Sequence, residues 1–209
     1  MKIRETFRTL CSATALACAA LSAHGADAYA TLGADASGHY QVDPDHSAVL
    51  FSIGHAGVGI TAGALSKVTG EYSFDPKQPA ACKADITVSA DTLDTFMPLR
   101  NGHLKSSGWL NVKAFPDIHF VSTRYTPQDA SHGLLDGDLT LHGVTHAVQF
   151  KVTEVGAGDV GYLPKPWGGH LTGFVATTSI DRMDYGIDAY AGAVGHQIDI
   201  AVNIEGVQQ

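Results

Sequence analysis

Apolar and polar residues alternate along most of this chain. Ile198, Ile200, Val202 and Ile204 fall on one face, and Asp199, Ala201 and Asn203 on the other. That period of two is the mark of a half-buried strand. The same pattern predicts strands at 40–42, 49–53, 65–74, 83–90, 118–122, 134–141, 146–155 and 171–180. Asp43-Pro44-Asp45 breaks or bends the first of these, and Asp75-Pro76 closes the third, since proline has no N–H for a ladder. Leu139 and Leu141, then Val148, Phe150 and Val152, flank a His-Gly-Val-Thr corner that reads as a tight hairpin. Residues 29–38 are small and polar and read as a loose tail. The run 99–112 lacks the alternation and predicts a short helix, starting near Pro98 and ending before Phe115-Pro116.

About eight antiparallel strands and one short helix define an all-β chain. Both a sandwich and a barrel satisfy the pattern. A barrel removes exposed edges, and with eight strands its interior holds packed side chains or one slim ligand. Strands of ten residues span about 33 Å, a length suited to a hydrocarbon chain. A fully packed β-core fits the same periodicity.

Residues 1–28 read as a secretory leader. Lys2, Arg4 and Arg8 precede an apolar run at 10–21, too short to span a bilayer, and Ala26-Asp27-Ala28 suits cleavage. The expected mature domain is 29–209, exported to the periplasm. It has no later run of 18 apolar residues and hence no expected transmembrane segment. It keeps 10 basic and 19 acidic residues, a formal charge of −9. An acidic chain is a poor candidate for nucleic acid or for anionic membrane surfaces. Cys82 is the one cysteine left after the leader, so the core must hold without an internal disulfide.

No nucleophile elbow, zinc-protease helix, P-loop or Cys-x-x-Cys motif is present. No catalytic residue, cofactor or metal site is expected. His142 and His146 have helical spacing, but in a hairpin that spacing loses its meaning as a ligand pair. His46, after the Asp-Pro-Asp turn, reads as a turn hydrogen bond. Arg182, beside Asp181 and Asp184, reads as the support of a strand end, and Cys82 as a buried thiol.

An ordered series of short motifs adds to this. In chain order they are Val42-Asp43-Pro44-Asp45-His46-Ser47, Phe51-Ser52-Ile53-Gly54-His55, Val68-Thr69-Gly70, Arg100-Asn101-Gly102-His103-Leu104, and Phe115-Pro116-Asp117-Ile118-His119-Phe120. The 137–148 hairpin, Pro166-Trp167-Gly168-Gly169, Gly173-Phe174 and Ile180-Asp181-Arg182-Met183-Asp184-Tyr185-Gly186 follow. Over about residues 39–206 the series resembles the YceI-like, polyisoprenoid-binding family. The resemblance implies an antiparallel eight-stranded lipocalin-like barrel with a short helix. Its apolar pocket would hold an isoprenoid chain, a polyprenyl lipid or the tail of a quinone, as ligand rather than cofactor. The residues then expected at the pocket wall are Phe51, Ile53, Ile86, Val88, Phe120, Leu139, Leu141, Phe150, Phe174, Ile200 and Val202, with His55 and Arg100 at its mouth. One departure is Asn101, where the family often has an acidic residue after the arginine. The reading is a periplasmic carrier without enzymatic activity. Its rivals are a quinone-linked enzyme or redox accessory protein and a β-domain with no ligand. A homodimer is left open.

Overall fold

The computed structural model describes residues 35–75 and 77–209. The leader at 1–28 and most of the expected tail, 29–34, lie outside them. The strands are β1 (Gly38–Val42), β2 (Ala48–His55), β3 (Gly59–Leu65), β4 (Val68–Phe74), β5 (Lys83–Ser89), β6 (Asp117–Pro127), β7 (His132–Leu141), β8 (Val144–Val160), β9 (Gly169–Asp181) and β10 (Val194–Gln208), with one α-helix, α1 (Pro98–Lys105).

Hydrogen bonding runs in the order β1-β4-β5-β6-β7-β8-β9-β10 and closes through β1 and β10. The result is a closed antiparallel barrel of eight strands. The hairpin of β2 and β3 extends two of its places. β10 pairs with β1 near Gly206 and with β2 from Asn203 back to Val194. Ten strands thus fill eight positions because the chain bends twice, at Asp43-Pro44-Asp45 and again at Ser66-Lys67. The second bend splits the strand expected at 65–74. Beyond it β3 leaves β5, and the gap is spanned by the bridge between Ala64 and Asp94 and by Ser66 N–H donating to Thr92 Oγ1 at 3.2 Å. The alternation predicts no strand at 59–65. β3 forms there by pairing with β2 along its whole length, from Gly59 opposite His55 to Leu65 opposite Val49.

The hairpin expected near 142 is present. His142 and Gly143 have φ of 53° and 77°, the paired positive values of a type I′ turn that matches strand twist. His142 and His146 donate to the carbonyls of Tyr185 and Asp184, both at 3.0 Å. They fasten the hairpin to the 3₁₀ turn Arg182–Tyr185. One expectation is overturned at 35–38. Ala36 is buried, and its carbonyl accepts from the Tyr40 hydroxyl at 2.9 Å, so this stretch is part of the core.

The connections sort to two ends. One end carries the loops β4–β5, β6–β7 and β8–β9 together with the C-terminus of β10. The other carries β2–β3, β5–β6, β7–β8 and β9–β10.

The first bend holds a cluster of charge. His46 Nδ1 donates to Asp43 Oδ2 at 2.8 Å and lies 3.9 Å from Glu205 Oε1 on β10. The Asp43 hydrogen bond, aided by Asp43, Glu205 and Asp45 charge, raises the His46 pKa. Burial raises that of Glu205, against the pull of His46. Both groups therefore hold protons more tightly when folded, and stability falls as pH rises. For His46 the contribution is complete below the free value of about 6.5 and is lost as pH passes the raised one. The melting temperature is expected to fall between about pH 6 and about pH 8, and His46→Gln to flatten that fall. Parallel curves for the two proteins would refute the role of His46.

Candidate functional site

Inward-facing side chains of the barrel surround an apolar cavity of about 200 Å³. Every lining residue is Ala, Val, Leu, Ile or Phe. β10 contributes Ile198, Ile200, Val202 and Ile204, a run of six residue steps or about 20 Å. The space is therefore elongated along the barrel. Several of these side chains are only half-buried although they point inward, because part of their surface faces the cavity rather than another atom. An unfilled apolar cavity forfeits dispersion contacts that a hydrocarbon ligand would restore.

One end of the cavity is plugged by aromatic rings. Tyr40 stacks on Tyr72 at 5.2 Å between ring centres, Phe174 meets Tyr72 and Phe74 edge-on at 5.7 and 5.0 Å, and Tyr125 meets Phe74 at 5.9 Å. Tyr72 crosses above Gly206, where a Cβ would collide with its ring, and its hydroxyl is bonded to Thr172 Oγ1. Burial pushes the Tyr72 hydroxyl pKa well up, so the plug carries no charge at neutral pH.

The opposite end is covered by the segment 90–116, which joins β5 to β6. Its Leu93 and Leu110 line the cavity, and Leu104 packs on the core. Pro98 starts α1 at the position where its missing N–H and fixed φ suit a helix. The loop before α1 is tied to it by side chains. Asn101 Oδ1 accepts from Thr95 N–H and Thr95 Oγ1 at 2.8 and 2.6 Å, and Asn101 Nδ2 donates to Asp94 at 2.8 Å. Arg100 donates through Nε to Thr95 Oγ1 and through Nη2 to the Thr95 carbonyl. A carboxylate at 101 would lack the amide that reaches Asp94, so Asn101 here builds the loop. The cap joins the β9–β10 connection through Trp109, whose ring stacks on Tyr190 at 6.1 Å and receives the Arg182 guanidinium at 5.4 Å.

The structure brings nine of the thirteen expected site residues to this cavity: Phe51, Ile86, Val88, Phe120, Leu139, Leu141, Phe150, Ile200 and Val202. The other four do not line it. Ile53 sits further along β2, and His55 is exposed at the β2–β3 tip. Arg100 turns its Nε and Nη2 to Thr95 rather than to the cavity. Phe174 shares the inward face of β9 but belongs to the plug. The wall also holds residues not anticipated, among them Leu65, Ile118, Leu135 and Ile180 from strands that were expected. Among the others, Ala84 and Ala176 are small, and Leu93 and Leu110 lie in or beside the segment without periodicity. Continued alternation from Phe51 and Ile200 would have pointed to Val49, Ile198 and Ile204.

Phe174→Ala is therefore expected to loosen the plug, at about 2 kcal/mol for a half-buried ring. The same loss should appear with and without a long-chain ligand. A cost that shrinks on adding ligand would place Phe174 against the bound chain.

Apart from the cavity, Asp43, His46 and Glu205 form a group with metal-ligand chemistry, but Asp43 and His46 already satisfy each other. Cys82 is buried, with Sγ 3.3 Å from both the N–H and the carbonyl of Asp75, and burial raises its pKa. The Tyr185 hydroxyl is buried without a hydrogen-bond partner among the described residues.

The model of the YceI-like domain matches residues 40–206. A UPF0312 protein of Enterobacter sp. (strain 638) is 35% identical over 181 residues, 86% of this chain and 91% of the relative. Protein YceI of Escherichia coli O157:H7 is 34% identical over 179 residues, 85% of this chain and 91% of that one. Among solved structures, BcnA of Burkholderia cenocepacia superposes with a TM-score of 0.69 at 21% identity, over 78% of this chain and 98% of its own. A domain of Saccharophagus degradans, described as polyisoprenoid binding and implicated in plant cell wall breakdown, superposes with a TM-score of 0.59 at 12% identity, over 81% of this chain and 98% of its own.

Proposed function

The chain belongs to the YceI-like family, and on that premise we propose that it is a periplasmic binding protein that holds one isoprenoid chain, of a polyprenyl lipid or an isoprenoid quinone, inside its barrel. The observation that carries this reading is the cavity: elongated, lined wholly by apolar side chains and plugged at one end. The description of the S. degradans neighbour as a polyisoprenoid binding domain supports it.

Each ligand CH₂ moved from water into the cavity contributes about 0.8 kcal/mol, less the cost of ordering the chain. The lining offers no hydrogen bond, so affinity comes from the hydrocarbon and a polar head group stays outside it. The lining also contains no acid, base or nucleophile, which favours a carrier over a catalyst. The leader at 1–28 supports export.

Organic extraction of protein purified from the periplasmic fraction, followed by mass spectrometry, is expected to release an isoprenoid lipid in near-equimolar amount. N-terminal sequencing is expected to begin near residue 29. Protein that extracts empty, and that takes up no polyprenol on reconstitution, would defeat the reading.

A further inference from the structure

Exposed apolar side chains gather at the capped end of the barrel from three separate segments. Val58 and Ile60 stand at the β2–β3 tip, Phe96, Met97 and Leu99 at the start of α1, and Tyr190 in the β9–β10 connection. Val58, Phe96 and Tyr190 are 89%, 80% and 73% exposed. Backbone contacts place them together. The Ala56 N–H donates to the Ala193 carbonyl at 2.6 Å, which joins the tip to the β9–β10 connection. The antiparallel bridge of Ala64 with Asp94 directs Phe96 back along β3 toward Ile60. Tyr190 stacks on Trp109 of the cap.

Two of these residues are held outward at a cost. Phe96 and Tyr190 have φ of 64° and 52°, a left-handed backbone that bulky side chains avoid. Burial does not repay the strain at Phe96, whose ring faces water, and at Tyr190 one ring face lies on Trp109 while most of the side chain stays exposed.

Charge distinguishes the same surface. The chain carries a formal −8, yet from Thr95 to Pro116 it has no acidic residue and three basic ones, Arg100, Lys105 and Lys113, with His103 among them. The two aspartates just before this stretch are engaged. Asp91 is 3.6 Å from Lys105, and Asp94 accepts from Phe96 N–H and Asn101. Asp117 follows the stretch directly, and Asp184 and Asp188 are the acidic residues of the adjoining connection.

We propose that this end docks on the surface of an anionic phospholipid bilayer, with Phe96, Leu99, Val58 and Tyr190 entering the interface and the basic cap lying over the head groups. Aromatic and aliphatic tips beside basic residues are the composition of an interfacial anchor, and each basic residue near such a surface adds attraction. The proposal rests on the isoprenoid-carrier reading, because a chain that dissolves in bilayers must leave one to reach the cavity. It identifies the covered end as the side facing that source, where Leu93 and Leu110 separate the exposed tips from the cavity.

The test compares the mature protein with Phe96→Asn/Leu99→Gln, in which asparagine tolerates the left-handed backbone and glutamine the helix. Tyr162→Asn, an exposed aromatic at the plugged end, serves as control. Co-sedimentation is measured with vesicles of phosphatidylcholine alone and mixed with phosphatidylglycerol. Uptake of a polyprenol from detergent is measured in parallel. The wild type and Tyr162→Asn are expected to bind the anionic vesicles, and the double variant at least about tenfold more weakly, with polyprenol uptake equal in all three. Equal sedimentation of wild type and double variant, or no sedimentation of the wild type, would overturn the proposal. So would a shift of the double variant from dimer to monomer with vesicle binding intact, since the face would then serve self-association. Vesicle binding that depends on Phe96 and Leu99 in a protein that takes up no polyprenol would uphold docking and sink the carrier reading instead.

Discussion

Replacing Arg182 by alanine is expected to cost about 4 kcal/mol of stability. Arg182 is 1% exposed and has no carboxylate within salt-bridge reach among the described residues. Its charge is met by dipoles instead. Nε and Nη2 donate to the carbonyls of Gly195 and Val194 at 2.8 and 3.1 Å, Nη1 donates to Ile187, and the Trp109 ring lies beneath. Burial lowers its pKa, with Asp181 and Asp188 acting the other way. The strand-end role read from the sequence is real, but backbone oxygens make it rather than the neighbouring aspartates. Alanine leaves three carbonyls without a donor and a void beneath the cap, each destabilising. At about 3 °C per kcal/mol for a domain of this size the melting temperature should drop by about 12 °C. Arg182→Lys should fall between the two, because one ammonium cannot reproduce a planar fork with several donors. A melting temperature for the alanine variant within about 2 °C of wild type would refute this account.

Ala176→Phe is expected to abolish long-chain binding and spare the fold. Ala176 lies on β9 between Val152 and Val202, and its methyl lines the cavity. A benzyl group there takes the place of about five ligand carbons, worth about 4 kcal/mol or about a thousandfold in affinity. Overpacking usually costs about 1–3 kcal/mol, but here the ring enters space that is already open. The variant's melting temperature without ligand should match or exceed wild type. Binding of a polyprenol, followed by extraction beside circular dichroism, decides the matter. Retention at wild-type level with a native spectrum would show that the chain lies elsewhere.

Much of the architecture was legible because strand alternation is a local signal. β10 is the clearest case: Ile198, Ile200, Val202 and Ile204, read from the sequence as one face, all lie on the cavity wall, where Ile200 and Val202 were expected. Alternation reports which face a residue takes, however, and not its height along the barrel. Phe174 and Ala176 share one face of β9, yet the first closes the end and the second lines the cavity. The resemblance places His55 and Arg100 at a mouth; in the structure His55 stands at an exposed tip, and Arg100, on α1, braces the loop before the helix. Leu93 and Leu110 could not be found by period, because the cap is shaped by the Asp94–Thr95–Asn101 hydrogen bonds. β3 escaped because Gly59, Ala62, Gly63 and Ala64 carry too little side chain to show a pattern.

The aromatic plug makes the barrel a dead end. A chain cannot thread through it, so arrival and departure share one route, and a loaded protein must empty before it can refill. Exchange of one isoprenoid for another should then proceed at a single first-order rate set by departure. Raising the concentration of the incoming lipid should leave that rate unchanged. A molecule with polar groups at both termini would have to bury one of them against Phe174 and Phe74, and should be refused.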